Sequence, residues 1–135
     1  MVGLLIVSHG GLGEALIQSA GHMLGKPLSG VAALRVTGRD DPELLLARGR
    51  DLVNDLDQGD GVLVMVDMFG ATPGNITAKL LRAGRVEGVS GASLPMLVRA
   101  LTYRESPLPM VLEKAISGGR DGVVHMNADC CYGPG

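Results

Sequence analysis

Two stretches of the chain, Val2 to Val7 and Gly61 to Val66, carry apolar side chains almost without interruption, and Arg85 to Val89 repeats the pattern more weakly. Each is short, rich in Val, Leu or Ile, and bounded by glycine or polar residues, as expected of strands buried on both faces of a parallel sheet. Ala32 to Val36 is a further strand of the same kind. Between them the period changes. Leu12, Ala15, Leu16, Ala20, Met23 and Leu24 fall on one side of a helix. Asp41-Pro42-Glu43 is an acidic, proline-marked helix start leading into Leu44 to Leu56. Thr72 is placed to cap a helix with Pro73 at its first position, continuing through Ile76 to Ala83. Leu94-Pro95-Met96 opens another helix. Pro107 to Ile116 predicts a last one, ended by Gly118-Gly119, and Gly122 to Met126 reads as a final strand before a Gly/Pro tail.

Strands alternating with helices of this length predict an α/β fold, with an open, mostly parallel, doubly wound sheet covered on both faces in three layers. Ligands of such sheets gather beyond the carboxyl ends of the strands, where successive crossovers leave for opposite faces. In the order 2-1-3-4 that point lies between the first and third strands. The first ends in Ser8-His9-Gly10-Gly11 and the third in Asp67-Met68-Phe69-Gly70-Ala71-Thr72-Pro73, which predicts His9 and Asp67 side by side at the rim of the sheet.

Composition narrows the possibilities. A chain of 135 residues, 46% hydrophobic and 19% charged, has the balance of one globular domain, and its 21 glycines suit many tight connections. With 12 basic and 14 acidic side chains the net charge is -2, so there is no broad cationic surface for a nucleic acid. The apolar start lacks the basic flank and cleavage site of a signal, and no apolar run approaches the roughly 20 residues that span a bilayer. A soluble, cytoplasmic protein without direct membrane insertion is expected. Cys130 and Cys131 are adjacent near the end of the chain, too late to staple the fold and without metal-site spacing; they read as cytosolic thiols.

A carboxylate beside an imidazole accepts a hydrogen bond from Nδ1–H, fixes the tautomer and leaves Nε2 as a nucleophile, while balancing the ring charge that develops on attack. Gly10-Gly11 and Gly70-Ala71 let backbone amides approach a ligand, and the helix near Pro73 directs its N-terminus at negative charge. The set suits a transient phosphohistidine. Taken singly, each part has a plainer reading: a histidine at a strand end is usually structural, Asp67 a loop carboxylate, Gly-Ala-Thr-Pro an ordinary turn into a helix. Their meeting at the switch point sets them apart. His22 and His125 lack that setting and read as structural or surface residues. The methionines, among them Met65, Met68, Met96 and Met110, read as core filler. Arg48, Arg50, Lys79, Arg82 and Arg85 read as solvated charges; one or two of them could serve an acidic partner, and the sequence does not choose among them.

These segments together resemble a known family. The strand Gly3 to Ser8 followed by His9-Gly10, then Val66-Asp67-Met68-Phe69-Gly70-Ala71-Thr72-Pro73-Gly74-Asn75, then Val89-Ser90-Gly91-Ala92-Ser93-Leu94-Pro95-Met96, look like the mannose-type IIA component of the phosphoenolpyruvate-dependent sugar phosphotransferase system, in order and spacing over about residues 1–126. Residues 127–135 then form a C-terminal tail. The resemblance implies a flavodoxin-like wound sheet and a homodimer in which the last strand, around Gly122 to His125, is exchanged between subunits as an antiparallel edge. It implies that His9 takes a phosphoryl group at Nε2 from the carrier HPr and passes it to a separate IIB protein. Asp67 orients His9, while Ser8, Phe69, Gly70, Ala71 and Thr72 surround the phosphate; no metal or cofactor is implied. Met68, Ala71 and Ser93 depart from the commonest family pattern, which bears on partner choice and on the backbone freedom of the cradle.

Two rivals share the site. One is a stand-alone regulator, gaining about two negative charges at His9 on phosphorylation and switching a partner without sugar transport. The other is the phosphoryl-donating subunit of a dihydroxyacetone kinase. A flavin- or nucleotide-binding module suits the fold, but recognition of flat rings recruits aromatic faces and the chain offers only Phe69, Tyr103 and Tyr132.

Overall fold

The computed structural model describes residues 1–128; Cys130, Cys131, Tyr132 and most of the expected tail lie outside the described residues. Nine elements follow in order: β1 (Gly3–His9), α1 (Leu12–Leu24), β2 (Val31–Val36), α2 (Pro42–Leu56), β3 (Val62–Val66), α3 (Thr72–Ala78), β4 (Val86–Ser90), α4 (Leu94–Tyr103) and α5 (Leu108–Asp121). The strands form one parallel sheet in the order β2-β1-β3-β4, with Ile6 opposite both Ala33 and Met65, and Met65 opposite Val89. The expected α/β wound sheet is therefore the observed one.

Strand pleating explains why the uninterrupted apolar runs are needed. Successive side chains point to opposite faces, and both faces are covered. Leu4, Ile6, Leu63 and Met65 pack with Met96, Leu97, Leu101, Leu108 and Val111 of α4 and α5, and with Leu16 and Ile17 of α1. Leu5, Val7, Val62, Val64 and Val66 pack with Leu45, Val53 and Leu56 of α2, Ile76 of α3 and the following Leu80. At about 1.5–3 kcal/mol for each large apolar side chain removed from water, this double core is the main stabilising contribution.

Several expectations need correction. Thr72 does not cap α3: Ala71, extended at φ -98° and ψ 178°, is the N-cap residue with no side-chain bond, and Thr72 is already helical. The positive φ of Gly70 (+84°) completes the loop early enough for the helix to begin there. It ends at Ala78 rather than Ala83, because Lys79 and Leu80 close a tighter turn onto Ile76 and Thr77 and Arg82 bridges to Val86. Gly118 and Gly119 do not end the last helix. α5 continues to Asp121, and a Cβ on Gly118 would lie 2.8 Å from the Arg99 Cβ and 3.0 Å from the Pro95 carbonyl oxygen, so glycine there permits α4 and α5 to pack closely.

Beyond α5 the chain turns at Met126 to Ala128 and forms no strand among the described residues; Val123, Val124 and Met126 are exposed. An edge strand needs a partner, and this segment meets none within one chain. Met65 and Met96 fill the core as expected, whereas Met68 and Met110 are exposed, Met68 because it falls in the loop just after β3. Asp41 caps α2, accepting from the Glu43 amide at 3.0 Å, and Ser93 caps α4, accepting from the Met96 amide at 3.3 Å.

Candidate functional site

β1 and β3 are parallel neighbours with Val7 opposite Val66, the last residue of β3; β1 runs two residues further, and its final residue, His9, meets Asp67, the first residue beyond β3. The imidazole Nδ1 of His9 lies 2.8 Å from Oδ2 of Asp67. The same oxygen accepts the backbone N–H of His9 at 3.0 Å, and Oδ1 accepts the amide of Met68 at 2.9 Å. An ionised carboxylate has only acceptors, so the proton between the side chains sits on Nδ1 and Nε2 keeps its lone pair. The His9 side chain is 56% exposed while that of Asp67 is 12% exposed. The carboxylate is sheltered and the imidazole is open to solvent.

Burial by itself pushes the Asp67 carboxyl up, but the backbone and ring donors of His9, the attraction of the ring and the Met68 amide together hold it below the ordinary aspartate range. A carboxylate kept ionised in this way supplies a standing negative charge where an imidazole acquires positive charge on attack.

Two turns frame the pair. Gly10 adopts φ +51°, and its amide donates to the Val36 carbonyl at 3.0 Å, tying the loop after β1 to the end of β2. On the other side Met68 to Gly70 folds over the first turn of α3, where a Cβ on Gly74 would lie 3.4 Å from the Met68 carbonyl oxygen. Met68 and Phe69 stand outward, Phe69 at 87% exposure, beside the exposed Gly70 and Thr72 and the half-buried Ala71. Ser8 is placed differently. It is fully buried, and its hydroxyl accepts the Gly13 amide at 2.9 Å, holding the first turn of α1 against the sheet. His22 and His125 are exposed and distant in the chain from this rim.

Three features were not legible in the pattern. The Met68 amide as a second clamp on Asp67 depends on loop conformation, and no residue type signals it. The Ser8–Gly13 bond rests on the close approach of the first turn of α1 to the sheet, where a Cβ on Gly13 would crowd Ala33, Ile6 and Ser8 at 3.1–3.3 Å. Arg35, one strand away, reaches over the Gly11 backbone and pairs with Glu14 at 2.6 Å, putting a cation at the edge of the loop after β1. Among the described residues no group of three His, Cys, Asp or Glu is arranged to hold a metal ion, and no helix is long and apolar enough to cross a membrane.

An imidazole and a carboxylate thus meet at the sheet's switch point, and the chain as a whole is similar to known proteins. A family described as the fructose IIA component of phosphotransferase systems matches residues 3–116. The mannose-specific EIIAB component of Escherichia coli (strain K12) is 27% identical over 130 residues, covering 94% of this chain and 40% of that protein, so this chain spans about two fifths of its length. The fructose-specific EIIA component of Bacillus subtilis (strain 168) is 29% identical over 106 residues, 78% of this chain and 72% of that one. A phosphotransferase system EIIA component from Streptococcus agalactiae has the same fold, with a TM-score of 0.81 at 22% identity over 92% of this chain and 96% of its own. A wound sheet that ends in His9 and Asp67, matched by the family over nearly all of its elements, is thus a member of the mannose-type EIIA family of the sugar phosphotransferase systems.

Proposed function

We propose that this chain is a cytoplasmic phosphocarrier of sugar uptake, in which His9 receives a phosphoryl group from phosphorylated HPr and hands it to a IIB acceptor. The observation that carries the reading is the His9–Asp67 pair, with Nδ1 engaged at 2.8 Å on an imidazole that is 56% exposed. The lone pair of Nε2 attacks the phosphorus of the donor phosphohistidine. The new N–P bond forms as the donor's N–P bond breaks, and that electron pair returns to the donor imidazole. Transfer to the acceptor repeats the exchange in the opposite sense. Asp67 balances the ring charge in both steps, so the work of the site is positioning and charge stabilisation.

Backbone amides of Phe69, Gly70 and Ala71 and the hydroxyl of Thr72 contact the phosphoryl oxygens, while Ser8 acts from beneath by fixing the start of α1. The exposed Met68 and Phe69 give protein partners an apolar foothold beside the histidine. The same reading makes the chain a homodimer in which Gly122 to His125 of each subunit pairs with the other's sheet edge. β4 offers such an edge, paired on one side only, and Val123 and Val124 are exposed apolar residues without a core of their own.

Intact-mass measurement after incubation with phosphoenolpyruvate, enzyme I and HPr tests the chemistry. One acid-labile phosphoryl group is expected on the native chain and none on His9→Ala. No gain under conditions that phosphorylate a control IIA protein overturns the reading. Light scattering tests the assembly, a clean monomer at micromolar concentration counting against the exchanged strand.

A further inference from the structure

The carrier site leaves one concentration of charge unused. A cavity of about 250 Å³ opens between α2 and the segment from the end of α3 to the start of β4. Its walls carry Arg50 and Asn54, one helical turn apart on α2, facing Lys79 and Arg82, while Val53, Leu80 and Val86 form an apolar floor that is almost wholly buried. Among the described residues none of the three cations takes part in an ion pair.

Asp57 and Glu87, the acids at the cavity's end, are engaged elsewhere. Asp57, the C-cap residue just after α2, accepts from the amides of Gly59 and Gly61 and from the Arg85 guanidinium, which is thereby removed from the set of free cations. Glu87 accepts the Gly84 amide at 2.9 Å. In a chain whose net charge is -2, three cations without ion-pair partners among the described residues line one cavity, and an anion bound there would be attracted by all three. Arginine supplies a planar fork of donors, lysine a compact charge, and Asn54 an amide donor, a combination suited to phosphate oxygens. The apolar floor suits a carbon skeleton beside the phosphate. The concavity distinguishes the site from a flat docking face for an acidic protein.

The position sets it apart from the histidine. α2 and α3 both leave the rim where β2 and β3 end, and the cavity lies at their far ends, beside the start of β4. We propose that this cavity binds a small phosphorylated organic anion, separately from the carrier site, giving the protein a second and non-covalent phosphate site.

Calorimetric titration of the full chain with inorganic phosphate, pyrophosphate and glucose 6-phosphate at low salt tests this. Saturable binding is expected, weakened at least about tenfold in Arg50→Gln/Lys79→Gln/Arg82→Gln because charge-assisted bonds are lost, and unchanged in His9→Ala. Arg82→Gln alone, with its thermal midpoint checked, gives the same direction should the triple variant fold poorly. Tighter binding of the ester than of inorganic phosphate supports use of the floor by a carbon skeleton; equal binding of the two overturns the organic ligand. Absence of saturable binding, binding unaffected by the substitutions, binding abolished by His9→Ala, or binding of hexaglutamate but not of phosphates each overturns the site. Phosphoryl uptake at His9 by the triple variant matches the native chain, so failure here is distinguishable from failure of the carrier reading.

Discussion

Asp67 accepts three hydrogen bonds, two from His9 and one from Met68, and this makes it more than a neighbour of the histidine. Asp67→Ala removes the acceptor for Nδ1–H and frees the ring, so phosphoryl uptake slows by at least about tenfold while His9 stays chemically competent; rapid-quench measurement of phosphorylation by HPr reads this directly. The pH dependence follows from the depressed carboxyl. A group whose folded pKa lies below its unfolded value adds stability above the unfolded value and loses it as pH falls through the folded one. The Asp67 and Asp57 contributions are therefore intact at neutral pH and vanish on acidification below about pH 4. The urea midpoint of Asp67→Asn, which has no such carboxyl to protonate, falls less on acidification than that of the native chain.

Elements were most legible where one pattern decided them. Leu12–Leu24 coincides with its amphipathic stripe, and the buried strands differ from the runs that announce them only at their ends. The His9–Asp67 meeting followed from strand order and needed no knowledge of side-chain geometry. Boundaries set by tertiary contacts were not legible. Gly118 and Gly119 look like a helix stop, yet they lie where Arg99, Pro95 and Met96 approach α5 too closely for larger side chains. Nor did the sequence choose among the arginines and lysines, because pairing of Arg85 with Asp57 depends on residues 28 positions apart. Gly118→Ala is expected to destabilise by about 1–3 kcal/mol through overpacking. Gly70→Ala meets nothing within 4 Å, so its expected loss of about 1–2 kcal/mol comes from the positive φ alone. Denaturant melts separate the two, and both set conditions under which α5 and the loop before α3 hold their shape.

At the scale of the molecule, Arg104, just after α4, ties the ends of β1 and β2 remote from His9 together. Its guanidinium donates to the carbonyls of Val2, Ser29 and Gly30, at 2.6–3.3 Å, and its own carbonyl accepts the Val2 amide at 2.9 Å. Burial lowers its pKa, with Glu105 acting in the other direction. Arg104→Met leaves these buried acceptors short of partners and is expected to lower unfolding stability by about 2–5 kcal/mol, without altering the acid-labile phosphoryl gain of the folded fraction.

The placement of β1 at the centre of the sheet also governs when the protein becomes competent as it is made. His9 leaves the ribosome before its partner, which is 58 residues later in the chain. At about 5–20 residues per second, Asp67 is synthesised some 3–12 s after His9. Through that interval β1 is an apolar segment with one possible neighbour, β2, and the histidine is an unoriented imidazole. On the proposed reading, efficient phosphoryl acceptance begins only when β3 inserts beside β1, so a nascent chain stalled before residue 67 is expected to take up phosphate far more slowly than the complete fold.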